Sequence, residues 1–418
     1  MESLIEAEVT SPRNPRVLLV NSTRWACPAR LALGLMRSGC EISAACPSHH
    51  PVATIRGIEA IYPYSAFSPL QSLAQAITTS RADMVIPFDD RATFHLHDLW
   101  ARAREFDGSG KLADLIERSL GSATGYPIVS SRFQLLKVAI DAQVRVPETR
   151  AVDSAHDLNS WRANLDFPWV LKADGTFGGS GVSIVRSLPE ALRAYSEATS
   201  MYNGVRAIKR WLVNRDPFWF SPYWNNVKPG VIVQAFVDGR PANSAVFCFG
   251  GEVLASIEVE ALGTEGTTGP ADTIRVVDNP TMSECARRIA RRLGLSGFFG
   301  FDFLLGKDGE VYLIEMNPRC TPLCHLQLGG GRDLVAVCWS VLSGRPIREL
   351  PPVTLNEQIC YFPNALRGKS PLLESSFHDM PNDQPALVEE LLRPWVTRTL
   401  AYRLYAYKER FLRRRRMT

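Results

Sequence analysis

Short apolar runs that end in polar turns alternate with a helical pattern over the first part of the chain. Apolar, β-branched residues fill 16–22 and 83–90, helical spacing covers 27–40, and 41–46 has the pattern of a further strand. Strand–helix–strand alternation is typical of a parallel sheet covered by helices. The pattern therefore predicts a parallel α/β domain over residues 15–125.

After this domain the pattern changes to strands, loops and helices of mixed spacing. Residues 131–152 predict a helix that leads into a strand, and 187–198 and 282–295 keep helical spacing. Strand-like apolar runs occupy three further stretches, at 230–239, 244–262 and 297–317. The sequence GKDGE inside the last stretch is a hairpin signal, so two paired strands are predicted there.

Aromatic residues crowd into the segment 209–226, where the periodicity is poor: Trp211, Phe218, Trp219, Phe220, Tyr223 and Trp224. One hypothesis is an inserted loop that packs its own small core. The other is a lid or wall over an aromatic or apolar substrate, because long loops beside a site often carry specificity. The sequence leaves both hypotheses open.

The last part of the chain, from Pro385, predicts an amphipathic helix that finishes in four consecutive arginines, Arg413–Arg416. One interpretation is a surface helix with a solvated basic tail. The other is weak docking of this tail on an anionic membrane or a partner. We therefore treat 351–418 as a separate C-terminal segment with a basic amphipathic helix.

Composition narrows the class of protein. The hydrophobic fraction of 45%, the charged fraction of 22% and a net charge of +4 over 418 residues are ordinary for a globular protein and require no nucleic-acid partner. Nine cysteines are scattered through apolar segments, which predicts reduced core thiols rather than disulfides. Acidic residues near the start and the lack of a long apolar run argue against a signal peptide and a membrane span, and favour a cytoplasmic location.

The first motif with chemical meaning is KADGTFGGSG, residues 172–181. A strand precedes it and the apolar run VSIV follows, so it matches neither a Walker loop, whose lysine comes last, nor a dinucleotide loop, which opens a helix. Lys172 can reach a phosphate, and backbone N–H groups around the glycines can wrap phosphate oxygens. The motif predicts a β-hairpin flap over a nucleotide, with a plain turn as the alternative.

The second motif is GFDFLL followed by YLIEMNPR. The period of two along a strand places Glu315, Asn317 and Arg319 on one face, and pairing across GKDGE would set Asp302 opposite Glu315. Two carboxylates and an amide oxygen suit Mg²⁺ that carries nucleotide phosphates, and an arginine beside them can neutralise a transferring phosphoryl group. Structural salt bridges are the alternative, although such a polar face on an apolar hairpin is costly without a ligand.

These two motifs, with VIVQAFVDG between them, resemble the ATP-grasp superfamily in order and spacing over about residues 125–345. D-alanine–D-alanine ligase, biotin carboxylase and carbamoyl-phosphate synthase contain such domains. The resemblance implies an α/β and α+β multi-domain fold, in which the Rossmann-like parallel α/β domain precedes an ATP-grasp fold of two α+β subdomains. The small subdomain with the glycine-rich flap would span 126–240, and the large subdomain with the Mg²⁺ site 241–350.

The resemblance also assigns roles to residues. Lys172 corresponds to the flap lysine on the α- and β-phosphates, and Arg319 to the arginine at the reacting centre, so these two are the implied catalytic residues. Arg132 stands where an earlier phosphate-binding lysine is usual, with Lys137 as an alternative. The remaining nucleotide contacts fall on the flap and the adenine hinge, namely Gly178, Gly179, Ser180, Gly181, Gln234, Ala235, Phe236 and Val237. The implied Mg²⁺ ligands are Asp302, Glu315 and Asn317, and Asp302 and Gln234 stand where glutamate is commoner.

The same resemblance implies that the chain would be an ADP-forming ligase. A substrate carboxylate would attack the γ-phosphate of ATP bound with Mg²⁺, or with Mn²⁺ as the alternative ion, and an amine would displace phosphate from the acyl-phosphate. Its partners would be a small-molecule carboxylate and an amine, with no nucleic acid and no transmembrane segment, and with a homodimer as an open alternative. A kinase of this fold and a non-catalytic ATP-binding regulatory protein are the competing functions.

Weaker candidates flank these motifs, each with a structural alternative: Glu258, Glu260, Arg275, His325, Asp89 and Asp90. The two glutamates and the arginine either line the triphosphate or acceptor pocket or are surface charges. The histidine either faces the substrate or is buried and structural. The aspartates end a strand of the first domain, where α/β folds bind ligands, and helix capping explains them equally well.

Overall fold

The computed structural model describes residues 13–163, 165–176, 181–214, 218–225, 227–264, 269–348 and 350–393. Its strands are β1 (Arg16–Val20), β2 (Glu41–Cys46), β3 (Ala60–Pro63), β4 (Met84–Pro87), β5 (Thr149–Ala151), β6 (Trp169–Ala173), β7 (Val182–Val185), β8 (Val231–Ala235), β9 (Gly239–Phe249), β10 (Glu252–Thr264), β11 (Ala271–Val277), β12 (Gly297–Gly306), β13 (Val311–Asn317), β14 (Gln358–Tyr361) and β15 (Phe377–Asp379). Its α-helices are α1 (Cys27–Arg37), α2 (Pro69–Ser80), α3 (Asp90–Ala101), α4 (Lys111–Leu120), α5 (Tyr126–Val129), α6 (Arg132–Asp141), α7 (Ala155–Arg162), α8 (Leu188–Thr199), α9 (Gly204–Asn214), α10 (Phe220–Trp224), α11 (Pro280–Leu293), α12 (Leu334–Ser343), α13 (Asn364–Gly368) and α14 (Pro385–Leu392).

The N-terminal domain is a parallel sheet with helices on both faces. Its strands lie in the order β3-β2-β1-β4, and Val17 of β1 is opposite Ile42 of β2 and Met84 of β4. Every residue of β4 is buried, as expected for a strand covered on both faces. Helices α2, α3 and α4 pack on one face and α1 on the other. The parallel α/β domain predicted from the alternation is confirmed.

A second, larger sheet has the order β13-β12-β9-β10-β11-β14-β15 and is antiparallel except for its last pair. One face shares a core with the N-terminal sheet, α1 and α12, and the other is covered by α6 and α11. Strands β12 and β13 form the hairpin that GKDGE predicts. Strands β14 and β15 come from the C-terminal segment and extend this same sheet, with Cys360 opposite Thr273.

A third sheet, in the order β5-β8-β6-β7, is antiparallel and carries α7 and α8. Trp161 of α7 and Trp169 of β6 are fully buried in its core, with their rings edge-to-face and 6.5 Å apart. The glycine-rich motif joins β6 to β7, so the predicted strand–loop–strand arrangement is confirmed. Among the described residues, this core shares no member with the other buried clusters, which makes the third sheet a separately packed unit.

In the described residues the aromatic segment contains two helices, which differs from the inserted loop of the first hypothesis. Helix α9 starts where the Asn203 side chain accepts a hydrogen bond from the N–H of Arg206 at 2.9 Å, and the short α10 follows. Ala207 of α9 is fully buried. The exposed apolar residues of α9 are Val205, Ile208, Trp211 and Leu212. A helix that exposes its apolar side is hard to recognise from sequence, because periodicity arguments expect that side to face a core.

The predicted C-terminal amphipathic helix begins as α14, in which Leu387 and Leu391 are buried. The Arg413–Arg416 tail lies outside the described residues. Across the ranges that the structure describes, none of the helices combines the length and apolarity needed to cross a membrane.

Candidate active site

The predicted carboxylate pair lies on the β12–β13 hairpin. The antiparallel register places Asp302 opposite Glu315, as the hairpin predicts, and Asn317 two residues further along the same face of β13. The pairing then shifts, so that Ile314 is the extra residue of a β-bulge. Bulges re-aim side chains and backbone groups next to a site, and the Ile314 carbonyl accepts a hydrogen bond from Lys172 at 3.1 Å.

Asp302 is a partly buried carboxylate held by two amides. The Asn243 side chain, opposite it on β9, donates to Oδ1 at 2.6 Å, and Asn317 Nδ2 donates to Oδ2 at 3.1 Å. Burial and the neighbouring Glu315 carboxylate raise the pKa of Asp302 to about 6, although the two amides and Arg319 act in the opposite direction. A cation bound between the two carboxylates would relieve this repulsion.

Lys172 is the cation closest to the bulge. It lies near the end of β6, is only 5% exposed, and its Nζ makes the hydrogen bond to the Ile314 carbonyl. Burial lowers the pKa of Lys172 to about 8, while Glu315 raises it, Arg132 lowers it and Asp302 raises it. An ammonium carries three N–H donors, so a phosphate can be bound alongside this carbonyl.

Arg132, which stands where the resemblance expects a lysine, ties the start of the glycine loop to the hairpin. Its Nη1 donates to the Ala173 carbonyl at 2.5 Å, and Nη2 donates to the Thr176 carbonyl at 2.9 Å and to Glu315 Oε1 at 2.7 Å. Asp174 lies 3.5 Å from the guanidinium. Burial opposes ionisation, but Glu315 and Asp174 together hold the pKa of Arg132 above its ordinary value.

Arg319 joins the large sheet to the N-terminal domain. Its Nε donates to Asp90 Oδ1 at 2.8 Å, with both side chains mostly buried, and its Nη2 donates to the amide oxygen of Asn317 at 3.0 Å. The guanidinium also lies over the Trp25 ring, 5.5 Å from its centroid. Asp90 begins α3, and the preceding Asp89 caps that helix. Of the two strand-end acids, one is thus a helix cap and the other holds the predicted reaction-centre arginine.

The predicted adenine hinge, 234–237, includes the last two residues of β8, which lies between β5 and β6 in the third sheet. Gln234 is buried and donates from Nε2 to Thr149 Oγ1 at 3.0 Å. The Ala235 N–H donates to the backbone carbonyl that precedes β5, at 2.8 Å, and Phe236 is 40% exposed. The Gln234 side chain therefore fixes the hinge strand to β5 rather than pointing freely toward a ligand.

The structure describes the two ends of the glycine loop. Three of its predicted nucleotide contacts lie outside the described residues: Gly178, Gly179 and Ser180. Gly175 and Gly181 have φ of +72° and +87°, and a Cβ at Gly181 would come within 2.6 Å of the Thr176 side chain. Only glycine meets both demands, so the loop begins and ends in tight turns beside Arg132.

Several weaker candidates lie away from this cluster. Glu258 and Glu260 project from β10 on the sheet face opposite to Asp302, as the register with β9 shows. Glu260 is paired with Arg275 at 2.8 Å, and Glu258 accepts a hydrogen bond from Ser283 Oγ at 2.7 Å. The structure therefore places these three candidates away from the pocket of the first alternative, and the two glutamates are buried rather than on the surface as in the second.

His325 and Lys137 also point elsewhere. His325 Nε2 is hydrogen-bonded to Asp379 Oδ2 at 2.6 Å, both side chains are buried, and Asp379 also pairs with Arg30 of α1. This is the buried structural histidine of the two alternatives. Lys137 is exposed on α6, with its ammonium 5.7 Å from the centroid of the Phe133 ring.

Sequence reasoning misses two members of the cluster. Asp174 pairs with Arg132, and its place directly inside the KADG motif is a signal that could have been used. Asn243 holds Asp302, but nothing local in the sequence marks it. Its role follows only from the register between β9 and β12, which a single sequence does not reveal.

The donor set fits a nucleotide-bound Mg²⁺. Asp302 and Glu315 offer carboxylate oxygens and Asn317 an amide oxygen, which are hard ligands. Among the described residues no three His, Cys, Asp or Glu side chains converge as a metal site. Mg²⁺ that carries a nucleotide needs only one or two carboxylates, because phosphates and waters complete its octahedron.

The part of the chain that carries the flap, the hinge and the hairpin is similar to an ATP-grasp domain. Residues 129–322 match the family model ATP-grasp_3, an ATP-grasp domain. The resemblance read from the flap, the hinge and the hairpin is thereby confirmed.

Individual relatives agree with this assignment. The chain is 26% identical over 260 residues to the carbamoyl phosphate synthase large chain of Rubrobacter xylanophilus, which covers 60% of this chain and 22% of that protein. The chain spans less than a quarter of the length of the curated relatives that it matches.

Two solved structures share the fold. One is the biotin carboxylase domain of Hydrogenobacter thermophilus 2-oxoglutarate carboxylase, in complex with MgADP, ADP and bicarbonate, with a TM-score of 0.58 at 16% identity over 80% of this chain and 71% of that chain. The other is an L-amino acid ligase from Bacillus licheniformis, with a TM-score of 0.56 at 14% identity over 82% of this chain and 79% of that chain.

Proposed function

We propose that this protein is an ATP-dependent ligase that activates a substrate carboxylate as an acyl-phosphate and joins it to an amine or a similar nucleophile, releasing ADP. The observation that carries the proposal is the partly buried Asp302–Glu315 pair, with Lys172 and Arg132 against it and Arg319 two residues beyond Asn317. The ATP-grasp domain match supports the nucleotide, and the L-amino acid ligase of the same fold supports the reaction class.

In this proposal ATP binds between the third sheet and the large sheet. The Ala235 carbonyl and the Val237 N–H bind the adenine edge, since the Ala235 N–H already donates to the backbone before β5. Lys172 and Arg132 bind phosphate oxygens from the side of the large sheet. The glycine loop closes over the phosphates through Gly178, Gly179, Ser180 and Gly181. The MgADP in the biotin carboxylase domain supports the nucleotide and the metal.

Asp302, Glu315 and Asn317 would hold Mg²⁺, with Mn²⁺ as the alternative ion. When bound, the metal supplies positive charge to the phosphates of ATP. In the structure Glu315 is paired with Arg132, and the Asn317 amide oxygen accepts a hydrogen bond from Arg319. Metal binding would require both side chains to leave these arginines. Arg132 and Arg319 would then be available to bind the phosphates and the substrate carboxylate.

Two displacements follow. A substrate carboxylate oxygen attacks the γ-phosphorus, the bond from the γ-phosphorus to the β–γ bridging oxygen breaks, and ADP leaves. The amine nitrogen then attacks the acyl carbon, the bond from the acyl carbon to the phosphate oxygen breaks, phosphate leaves and the nitrogen loses a proton. Lys172 and Arg319 neutralise the charge of the transferring phosphoryl group, and positioning supplies the rest without a side-chain nucleophile.

The test is a screen for ADP release with small carboxylic acids, each with and without amines, read together with the mass of the product. A ligase releases ADP in proportion to a condensed product and needs both substrates. A kinase would form a stable phosphorylated product with no dependence on the amine. A non-catalytic regulatory protein would bind MgATP and release no ADP with any pair, and that result would overturn the proposal.

We predict that Glu315→Gln lowers turnover about 100-fold, because it removes a carboxylate from the proposed Mg²⁺ site while retaining its shape. The measurement is ADP release against Mg²⁺ concentration. Glu310→Gln is the matched control: it lies on the same hairpin, is half exposed and pairs with Arg145 at 3.2 Å. Equal activity of the Glu315 variant and the control would contradict the proposed metal site.

A further inference from the structure

Exposed apolar side chains are concentrated in one short part of the molecule. Of the nineteen large hydrophobic residues that are exposed in the described ranges, six lie within residues 205–224: Val205, Ile208, Trp211, Leu212, Tyr223 and Trp224. They belong to α9 and α10, and together we call them the α9–α10 surface. A contiguous exposed apolar patch on a globular protein marks an interaction site.

The orientation of α9 makes this surface continuous. Val205, Ile208 and Leu212 have the i, i+3, i+7 spacing of one helical face and are 79%, 50% and 56% exposed. Ala207, on the other side of the helix, is fully buried and marks the face that packs on the protein. The helix therefore presents to solvent the side that an ordinary surface helix buries.

Basic residues border this apolar face. Arg206 and Lys209 are exposed on α9, whose sequence GVRAIKRWLVN contains no acid. Over residues 204–228 five basic residues stand against one acidic residue, a net charge of +4. The stretch that carries the exposed apolar surface is therefore basic, as is the end of the chain with Arg413–Arg416.

We propose that the α9–α10 surface docks on an anionic lipid bilayer. Interfacial helices have an apolar side, cations along its flank, and tryptophan and tyrosine rings at the level of the headgroups. The α9–α10 surface has this composition. The net charge complements an anionic headgroup layer, which adds attraction for each cation. The surface is independent of the proposed ligase activity.

Docking would bring the bilayer close to the nucleotide flap. Tyr202, two residues before α9, lies so near the start of the glycine loop that a Cβ on Gly175 would be 2.7 Å from its hydroxyl. The residue just before the docking helix therefore lies against the start of the flap, and the protein would work with its third sheet against the membrane.

The test is sedimentation of the full chain with large unilamellar vesicles, either of phosphatidylcholine alone or of phosphatidylcholine and phosphatidylglycerol in equal amounts. We expect binding to the anionic vesicles at least about tenfold stronger than to the neutral ones, and weakened several-fold by high salt. Equal binding to both vesicles, or to neither, overturns the proposal.

The apolar contribution is tested with Ile208→Ser/Leu212→Ser. Because both side chains are exposed, the variant should keep the wild-type thermal unfolding, and its partition onto anionic vesicles should fall by about tenfold. Phe67→Ser/Leu355→Ser is the matched control, since these residues are 77% and 90% exposed away from α9. Unchanged binding by the α9 variant overturns the proposal.

The electrostatic contribution is tested with Arg206→Gln/Lys209→Gln, which should lower binding to anionic vesicles by about tenfold. The exposed pair Arg186→Gln/Arg292→Gln is the control for a loss of charge elsewhere. A fourfold glutamine variant of Arg413–Arg416 separates the basic tail from the helix. If that variant alone loses binding, or if the α9 variants instead change the oligomeric state measured by light scattering, the α9–α10 surface is not a membrane site.

Discussion

At the scale of single residues, Lys172 is a cation of the proposed nucleotide site whose charged form is disfavoured by its surroundings. Its ammonium is buried, and the burial lowers its pKa to about 8 although two carboxylates lie nearby. A buried ammonium with a lowered pKa does not increase the stability of the folded protein at neutral pH. Its place is explained if the residue binds an anion, because a phosphate would supply the missing counter-charge.

We predict that Lys172→Met stabilises the protein at neutral pH and weakens nucleotide binding. The folded-state pKa of about 8 lies below the unfolded value of about 10.4. Between these two pH values the unfolded chain binds more protons than the folded protein. The contribution of Lys172 to wild-type stability therefore rises with pH. Methionine does not titrate. The difference in unfolding free energy between variant and wild type should therefore shrink by up to about 3 kcal/mol as the pH rises through this range.

Denaturant titrations of both proteins from neutral to alkaline pH measure this difference, and calorimetry with MgADP measures the binding. Lys137→Met, at an exposed position of α6, is the control and should show no such trend. A difference that stays constant with pH would mean that Lys172 is not destabilised by its burial.

The sequence predicts part of this cluster, for identifiable reasons. Asp302 and Glu315 can be paired from the period of two and the GKDGE turn, because both signals are local. The partners of Arg132 and Arg319 are not local: Glu315 and Asp90 lie 183 and 229 residues away in the chain. Such contacts depend on how the three sheets pack against one another. Local residue patterns in a single sequence do not contain this information.

At the scale of elements, long strands are predictable and short edge strands are not. β9, β10, β12 and β13 have between seven and 13 residues and a clear pattern of apolar positions. β3 and β15 have four and three residues, too few to show a period, and each lies at the edge of its sheet. Helix α9 is hard to predict for a different reason: apolar residues occur at helical spacing, but they face solvent rather than a core.

We predict that Gly121→Ala is far more destabilising than Gly110→Ala. Both glycines have positive φ, +96° and +80°, so both variants incur a left-handed strain of about 1 kcal/mol. A Cβ at Gly121 would also lie 2.2 Å from the Gly294 carbonyl oxygen, whereas Gly110 has open space. The loss in unfolding free energy should exceed about 3 kcal/mol at Gly121 only.

Urea unfolding of the two variants measures the difference. Gly121 forms an isolated bridge with Leu295, which connects the end of α4 to the segment between α11 and β12. Equal losses in the two variants would show that this junction relaxes to accept a methyl group.

At the scale of the whole molecule, the C-terminal segment is tied back to the first helix of the chain. Asp379 of β15 is paired with both Arg30 and His325, and Arg24 is paired with Glu390 of α14 at 2.5 Å. These links are mostly buried. They join the N-terminal domain to the far edge of the large sheet, next to the core that the two sheets share.

We predict that Asp379→Asn lowers the unfolding free energy by about 3 kcal/mol at neutral pH, because it leaves the mostly buried Arg30 guanidinium without its counter-charge. Burial opposes ionisation, but His325 and Arg30 hold the pKa of Asp379 below its ordinary value. The stabilisation by Asp379 is thus complete above the unfolded pKa of about 3.9 and is lost as the pH falls through the lower folded pKa.

The loss in the Asp379 variant should therefore shrink under acid conditions, which denaturant titrations across pH can show. Asp383→Asn is the control, since that carboxylate pairs with Arg37 at 2.8 Å but is 52% exposed, and should change stability by less than about 1 kcal/mol. A loss at Asp379 that is independent of pH would assign its effect to packing rather than to charge.

The separate core of the third sheet has a consequence for recombination. The N-terminal domain and the large sheet share one buried cluster, so a chimera with a junction between them would expose apolar surface on both parents. Trp161 and Trp169 pack in a core of their own, and a junction on either side of the third sheet cuts through no shared cluster. We therefore expect a chimera with such junctions to exchange the flap, the hinge and the α9–α10 surface together, and with them the proposed nucleotide-binding loop and the proposed docking helix.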